Sequence, residues 1–199
     1  PLFSKIKVRS NIIVFLVFFA LHLLLLNVNR VEWGDSYRIL RASEYIRDFS
    51  YPTDEKRPPA YSAFLALRPL ASLDPVLWGK LFMFFVSLIC FYLFYKITCT
   101  LFGEKRELVT LSLLLFAFNP VYFYWSLRLY ADVFFSLQVL LLIYLYLKWK
   151  DDFKPIQLFV LAFISVLAVL TRFEGYLLSL SLGLGILFLR GLPNRKDIK

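Results

Sequence analysis

Most of this chain cannot do chemistry: of its 199 residues, 60% are hydrophobic and only 19% are charged. The residues that could act gather in few places. The densest polar stretch runs from Asn29 to about Asp74, opening with Glu32-Trp33-Gly34-Asp35-Ser36-Tyr37 and continuing to Lys56-Arg57-Pro58-Pro59-Ala60-Tyr61. After Asp35, the residues Ile39, Ala42, Ile46 and Phe49 recur at helical spacing, the apolar stripe of an amphipathic helix. An acid at the head of such a stripe is held against protein or bilayer rather than in water. Gly-Asp-Ser is also a good helix start, with Asp35 as the N-cap, although Arg38 leaves no capping box. The two readings are compatible. The proline pair fixes the backbone and starts a second helix that turns Tyr61, Phe64, Leu65 and Leu67 inward.

Two further charged sets lie downstream. Arg128 and Asp132 are four residues apart, a spacing that puts them on one helix face as an ion pair at a membrane edge or as functional groups. Arg172 and Glu174 are two apart and are not expected to face each other. Arg172 could grip a lipid phosphate through two parallel hydrogen bonds or cap the carbonyls ending a helix. Ionisable residues at membrane depth mark function by default.

The elements that position these residues are apolar. Mean hydropathy is +0.67, well above that of soluble domains, and long apolar runs recur, so the chain is expected to be an all-α, polytopic membrane protein forming a single transmembrane domain over residues 1–199. Six spans are expected: Asn11–Val28, Leu81–Phe102, Leu108–Tyr124, Tyr130–Trp149, Ile156–Thr171 and Gly175–Leu189. The first is read as a retained span, because no small-residue cleavage site follows it. The loop 29–78 carries the amphipathic helix after Asp35 and, over Pro59–Trp78, a partly embedded helix pair broken by Arg68, Pro69, Asp74 and Pro75. Lys and Arg crowd the amino-terminal tail, the Lys105 turn, the Lys148–Lys154 turn and the carboxyl tail, whereas the opposite short turns carry one arginine each. Both termini are therefore expected to be cytoplasmic. The long loop, Arg128–Asp132 and Arg172–Glu174 then converge on one outer or lumenal face.

The net charge of +9 orients such a chain and is no sign of nucleic acid. There is no P-loop, no H-E-x-x-H and no G-x-S-x-G. The single His22 reads as a packing residue, Cys90 and Cys99 as small apolar fillers too far apart on a helix to pair. Tyr122, Tyr124, Trp125 and Tyr130 read as an interfacial aromatic belt. A transporter or membrane assembly subunit is the competing class; transporters bury charge at the midplane between internal repeats, and no repeat is seen here.

The order of these features carries a resemblance. An external Gly-Asp with an amphipathic helix, Lys-Arg-Pro-Pro-Ala-Tyr, Arg-Leu-Tyr-Ala-Asp opening the fourth span, and Leu-Thr-Arg-Phe-Glu-Gly-Tyr-Leu-Leu between the fifth and sixth resemble the amino-terminal half of the C-type (GT-C fold) glycosyltransferases. The likeness is to the dolichyl-phosphate-mannose protein mannosyltransferase-like and aminoarabinose-transferase-like members. That resemblance implies an integral membrane enzyme of a prokaryotic plasma membrane or the endoplasmic reticulum. It would move a sugar from a polyprenyl-phosphate donor to a hydroxyl of a protein, lipid or glycan acceptor, with inversion. It implies Asp35 as the base at the acceptor, and Arg57, Tyr61, Arg128, Asp132, Arg172 and Glu174 as substrate-binding residues. The sequence departs from the pattern at Ser36, where the family often has Glu, at Arg57 between Lys and Pro-Pro, and at Phe173, where the family has Pro. No cofactor is required; a divalent metal is compatible, although no acid cluster marks its site. Family members carry more spans and often a soluble carboxyl-terminal domain, so a fragment of a longer enzyme is expected.

Overall fold

The structure is a computed structural model describing residues 2–26, 32, 34–70, 72–150 and 153–190, with backbone only at 2–9 and 189–190. The expectations for Trp33, Asp151, Asp152 and the basic carboxyl tail lie outside the described residues. Nine helices and no strands form among the described residues: α1 (Leu2–Leu25), α2 (Gly34–Arg47), α3 (Ala60–Ala66), α4 (Pro75–Phe102), α5 (Arg106–Ala117), α6 (Pro120–Ser126), α7 (Ala131–Trp149), α8 (Pro155–Val169) and α9 (Gly175–Arg190). The all-α membrane class is thus observed. Among the described residues, only α4 and α7 are long and apolar enough to cross a membrane singly, and α5 with α6 makes a third if the bent pair is one span. The apolar parts of α1, α8 and α9 are shorter. At 15 residues, α8 rises only about 22 Å, less than a hydrocarbon core of about 30 Å.

Local chemistry explains the breaks. The Asp74 carboxylate accepts from the Leu77 N–H at 2.8 Å, with Pro75 at the first helical position; this N-cap starts α4 six residues earlier than the expected second span. The segment Pro59–Trp78 is therefore not a helix pair: α3 ends at Ala66, which leaves Leu67 exposed rather than turned inward, and only the last four residues of the segment belong to α4. Asn119 and Pro120 repeat the same device, Asn119 accepting from the Tyr122 N–H at 2.9 Å, and turn α6 by 54° from α5. The end of α2 departs from expectation. The Ser50 N–H reaches Tyr45 O at 2.9 Å and the Phe49 N–H reaches Ile46 O at 3.0 Å, a Schellman-type stop. Phe49 takes the left-handed position at φ 54° and is wholly exposed. The buried stripe of α2 holds at Ile39 and Ala42 but then passes through Leu40 and Ser43, not Phe49.

Three cores tie the helices. Ile39, Tyr61 and Leu65 of the loop pack on Met83, Val86 and Cys90 of α4 and on Val133 and Phe134 of α7. Phe18 of α1 packs with Phe91 and Leu113, and Leu142, Leu161 and Ile164 join α7 to α8. His22 is a satisfied packing residue: its ring nitrogens lie 3.0 Å from Phe18 O and 2.7 Å from Ser126 Oγ. Cys90 and Cys99 are both free, Cys90 fully buried. Tyr122 belongs to the core contacts, not to a belt.

Candidate active site

The loop is anchored across the bundle. The Ala60 N–H donates to Leu170 O at 2.8 Å, so the start of α3 is stitched to the end of α8. Ser62 Oγ donates to Ile39 O, and Trp78 Nε1 to Leu65 O. Arg68 pairs with Glu44 at 3.0 Å. These contacts place α2 and α3 as a roof over the amino-terminal end of α7 and the turn between α8 and α9.

Beneath the roof lies a cavity of about 640 Å³, within the usual range of ligand sites. Asp35, Arg57 and Tyr61 line it from the loop, Trp125, Tyr130 and Asp132 from the α6–α7 region, and Thr171, Arg172, Phe173 and Glu174 from the α8–α9 turn. Six of the seven residues singled out from sequence therefore meet at one cavity. Arg128 does not line it. Its guanidinium carbon sits 4.8 Å over the Tyr124 ring.

Two charge clusters face this space. On the loop side, Arg57 Nη2 lies 2.5 Å from Asp35 Oδ1 and its Nη1 lies 3.1 Å from Glu55 Oε1. Glu55 Oε1 also accepts the backbone N–H groups of Lys56 and Arg57, and Tyr51 Oη donates to Arg57 O. Glu55 thereby fixes the arginine; no periodicity in the sequence marks it. Asp35 is 55% exposed at its side chain and lies in the first turn of α2, so it is neither held away from water nor the residue ahead of the helix. The buried acid next to the start of α2 is Glu32, with its side chain fully enclosed, 3.6 Å from the almost equally buried Lys80 Nζ and 3.4 Å from Ser36 Oγ. A lysine inside the apolar run that becomes α4 was the available signal for that buried pair.

Across the cavity, Arg172 binds two acids. Its Nε and Nη2 donate to the Glu174 oxygens at 3.2 and 2.9 Å, and its Nη1 donates to Asp132 Oδ1. Both sequence expectations about pairing are corrected here. Residues 172–174 form a turn rather than a helix, so side chains two apart can meet. Arg128 precedes α7, so the four-residue spacing puts no shared helix face between it and Asp132, which pairs with Arg172 instead. Gln138 in apolar α7 donates to Thr171 Oγ1 at 2.8 Å and Thr171 donates to Leu167 O; this buttress holds the turn from below.

Gly175 makes the turn possible. A Cβ there would lie 2.4 Å from the Val169 backbone nitrogen and 2.5 Å from the Ala168 carbonyl carbon, neither of which can move aside like a side-chain tip. Gly175→Ala is therefore expected to push α9 away from α8 and destabilise the fold by about 1–3 kcal/mol, with loss of the Arg172 contacts; a thermal-shift measurement in detergent against Gly183→Ala, where open space surrounds the added methyl, checks this.

Electrostatics follow from the pairs. The hydrogen bonds from Arg172 are the largest cause that holds the Glu174 carboxyl down at about 2. A depressed carboxylate contributes its stabilisation above its unfolded value near 4.5 and loses it as pH falls through the folded value. The Arg172–Glu174 contact is thus expected to persist through pH 4.5 and to open only towards pH 2, which a carbon-13 titration of the Glu174 carboxyl can read. Burial, reinforced by the negative charges of Glu32 and Asp132, pushes the Tyr61 hydroxyl up. It remains a donor, and among the described residues it has no hydrogen-bond partner although fully buried. Among the described residues no three His, Cys, Asp or Glu side chains group as a metal site.

Apolar helices carrying a roofed, charged cavity at the ends of several helices define an integral membrane protein with a built site at one end of its bundle. Residues 56–198, more than half of the chain, match the family described as dolichyl-phosphate-mannose-protein mannosyltransferase, and the chain belongs to that family. It is accordingly a membrane glycosyltransferase. The matched segment holds Arg57, Tyr61, Asp132, Arg172 and Glu174, and Asp35 precedes it. No curated protein and no solved structure matches the chain at the significance required of either comparison.

Proposed function

We propose that this enzyme transfers a sugar from a polyprenyl-phosphate donor to an acceptor hydroxyl on the outer or lumenal face, with inversion at the anomeric carbon. The observation that carries this reading is the meeting of Asp35–Arg57 from the loop with Asp132–Arg172–Glu174 from two distant helix ends around one cavity. Asp35 engages Arg57 through one oxygen, and the acceptor hydroxyl approaches the other. As the acceptor oxygen bonds to the anomeric carbon, Asp35 takes its proton. The bond from that carbon to the phosphate oxygen breaks, and polyprenyl phosphate leaves. The charge on the phosphate rises from one towards two during this step, and a guanidinium already fixed in place stabilises it without reorganising. Arg172 fills this role, its exposed partner Glu174 yielding to the incoming phosphate; Arg57 is the second candidate. The cavity sits under the loop at one end of the bundle, as a transferase working at the membrane surface requires, and not between two repeated halves.

Incubating the full-length chain in nanodiscs with α- or β-configured polyprenyl-phosphate mannose and assigning the product anomer by NMR tests the reaction. Opposite configuration in donor and product is expected; retained configuration would remove the single displacement. The orientation has its own check. A cysteine at Ser50 is expected to react with an impermeant maleimide added from the outer face, and one at Lys105 to be protected. The reverse pattern would place the cavity on the cytoplasmic side.

A further inference from the structure

Two aromatic rings at the cavity, Trp125 and Tyr130, have no role in the proton and phosphate chemistry above. Both line the cavity and meet edge to face, centroids 4.9 Å apart at 71°. They are braced from behind: Tyr124 packs on Trp125 at 5.1 Å and 80°, and Arg128 lies over Tyr124. Four side chains thus contact one another in series, the rings edge to face, and the last two form an aromatic wall of the cavity. A wall serving only as a lipid-interface anchor would face outward.

We propose that the Trp125–Tyr130 wall is the seat of the transferred sugar, a neutral hexose. This rests on the donor reading above and names the part of the cavity that reads the sugar. A pyranose is apolar on one ring face, where its C–H bonds point, and hydroxyl-rich around its edge. The negative face of an aromatic ring attracts such weakly positive C–H groups, and stacking buries both surfaces. The polar groups beside the wall suit the edge. Asp132 and Glu174 offer carboxylate oxygens to the hydroxyls of that edge. The charges agree. Asp35, Asp132 and Glu174 line the cavity against Arg57 and Arg172, and both guanidiniums are already paired. A neutral polyol enters such a site with no charge conflict and supplies hydroxyl donors to an acceptor-rich rim. Arg128 acquires a different role from the one its sequence position suggested: it steadies the wall through Tyr124.

The test compares two lipids that differ only in the sugar, polyprenyl-phosphate mannose and bare polyprenyl phosphate, by native mass spectrometry of the full-length chain in nanodiscs. Wild type is expected to bind the mannosylated lipid more tightly. Trp125→Leu is expected to weaken that lipid about tenfold, in the range of an aromatic contact at a binding centre, and to leave bare polyprenyl phosphate unchanged. Trp125→Phe keeps a ring and is expected to retain most of the preference. Arg172→Gln, by contrast, is expected to weaken both lipids together. Equal loss of both lipids in Trp125→Leu, or no preference in wild type, would overturn the sugar seat while leaving the donor reading standing. Failure of wild type to bind either lipid would overturn the donor reading, and the sugar seat with it.

Discussion

Asp35→Asn is expected to lower sugar transfer by roughly 10²-fold or more while leaving expression and donor-lipid binding close to wild type. Asn keeps the size and hydrogen-bonding capacity of Asp but cannot take the proton from an attacking hydroxyl. The structural cost is small. In the first turn of α2, Asp35 gains a helix-dipole contribution of about 0.3–1 kcal/mol, and its half-exposed pair with Arg57 adds about 0–1 kcal/mol. A fall in transfer with normal thermal stability separates chemistry from folding. Near-normal transfer would remove Asp35 from the mechanism and make Asp132 the next base to test. Glu32, the other acid near the start of α2, is enclosed with Lys80 and does not line the cavity.

Arg172→Gln has the second large effect, an expected drop of about 10²–10³ in kcat, the cost of removing one prepositioned group from a developing oxyanion. Arg172 holds Asp132 and Glu174 at once; the variant leaves two carboxylates facing an arriving phosphate with no cation between them. Arg172→Lys is expected to restore only part of the rate, because an ammonium is a point charge and cannot reproduce the guanidinium fork. Steady-state kinetics with polyprenyl-phosphate mannose give the answer. Unchanged kcat in the Gln variant would transfer the phosphate role to Arg57.

The sequence disclosed the gathering of these residues better than their individual contacts. Long apolar runs and their alternating direction bring the loop, the start of α7 and the α8–α9 turn to one end, so Asp35, Arg57, Asp132, Arg172 and Glu174 had to be near one another. Contacts depend on where helices stop, which periodicity reads poorly. Arg128 and Asp132 have helical spacing but flank a break, and Arg172 and Glu174 meet because their segment is a turn. Phe49 looked like the end of a buried stripe because its spacing is right, yet a left-handed residue ends α2 and turns it outward. Glu55 gave no signal at all: its burial comes from folding the loop back on Arg57. Gln138 and Lys80 were legible as polar residues in apolar runs, and Trp125 and Tyr130 were legible as aromatics but not as cavity lining, since a belt and a binding wall share one composition.

The central claim is that the donor lipid occupies the cavity under the first loop. Leu177 lines that cavity and is exposed, whereas Leu111 is exposed on α5 beside Ser10 and Glu107. With a benzoyl-phenylalanine at either position of the full-length chain, irradiation in the presence of tritiated polyprenyl-phosphate mannose is expected to label the Leu177 variant, with labelling suppressed by excess unlabelled donor. The Leu111 variant is expected to show only labelling that excess donor does not suppress. Saturable labelling at Leu111 with none at Leu177 would contradict the account.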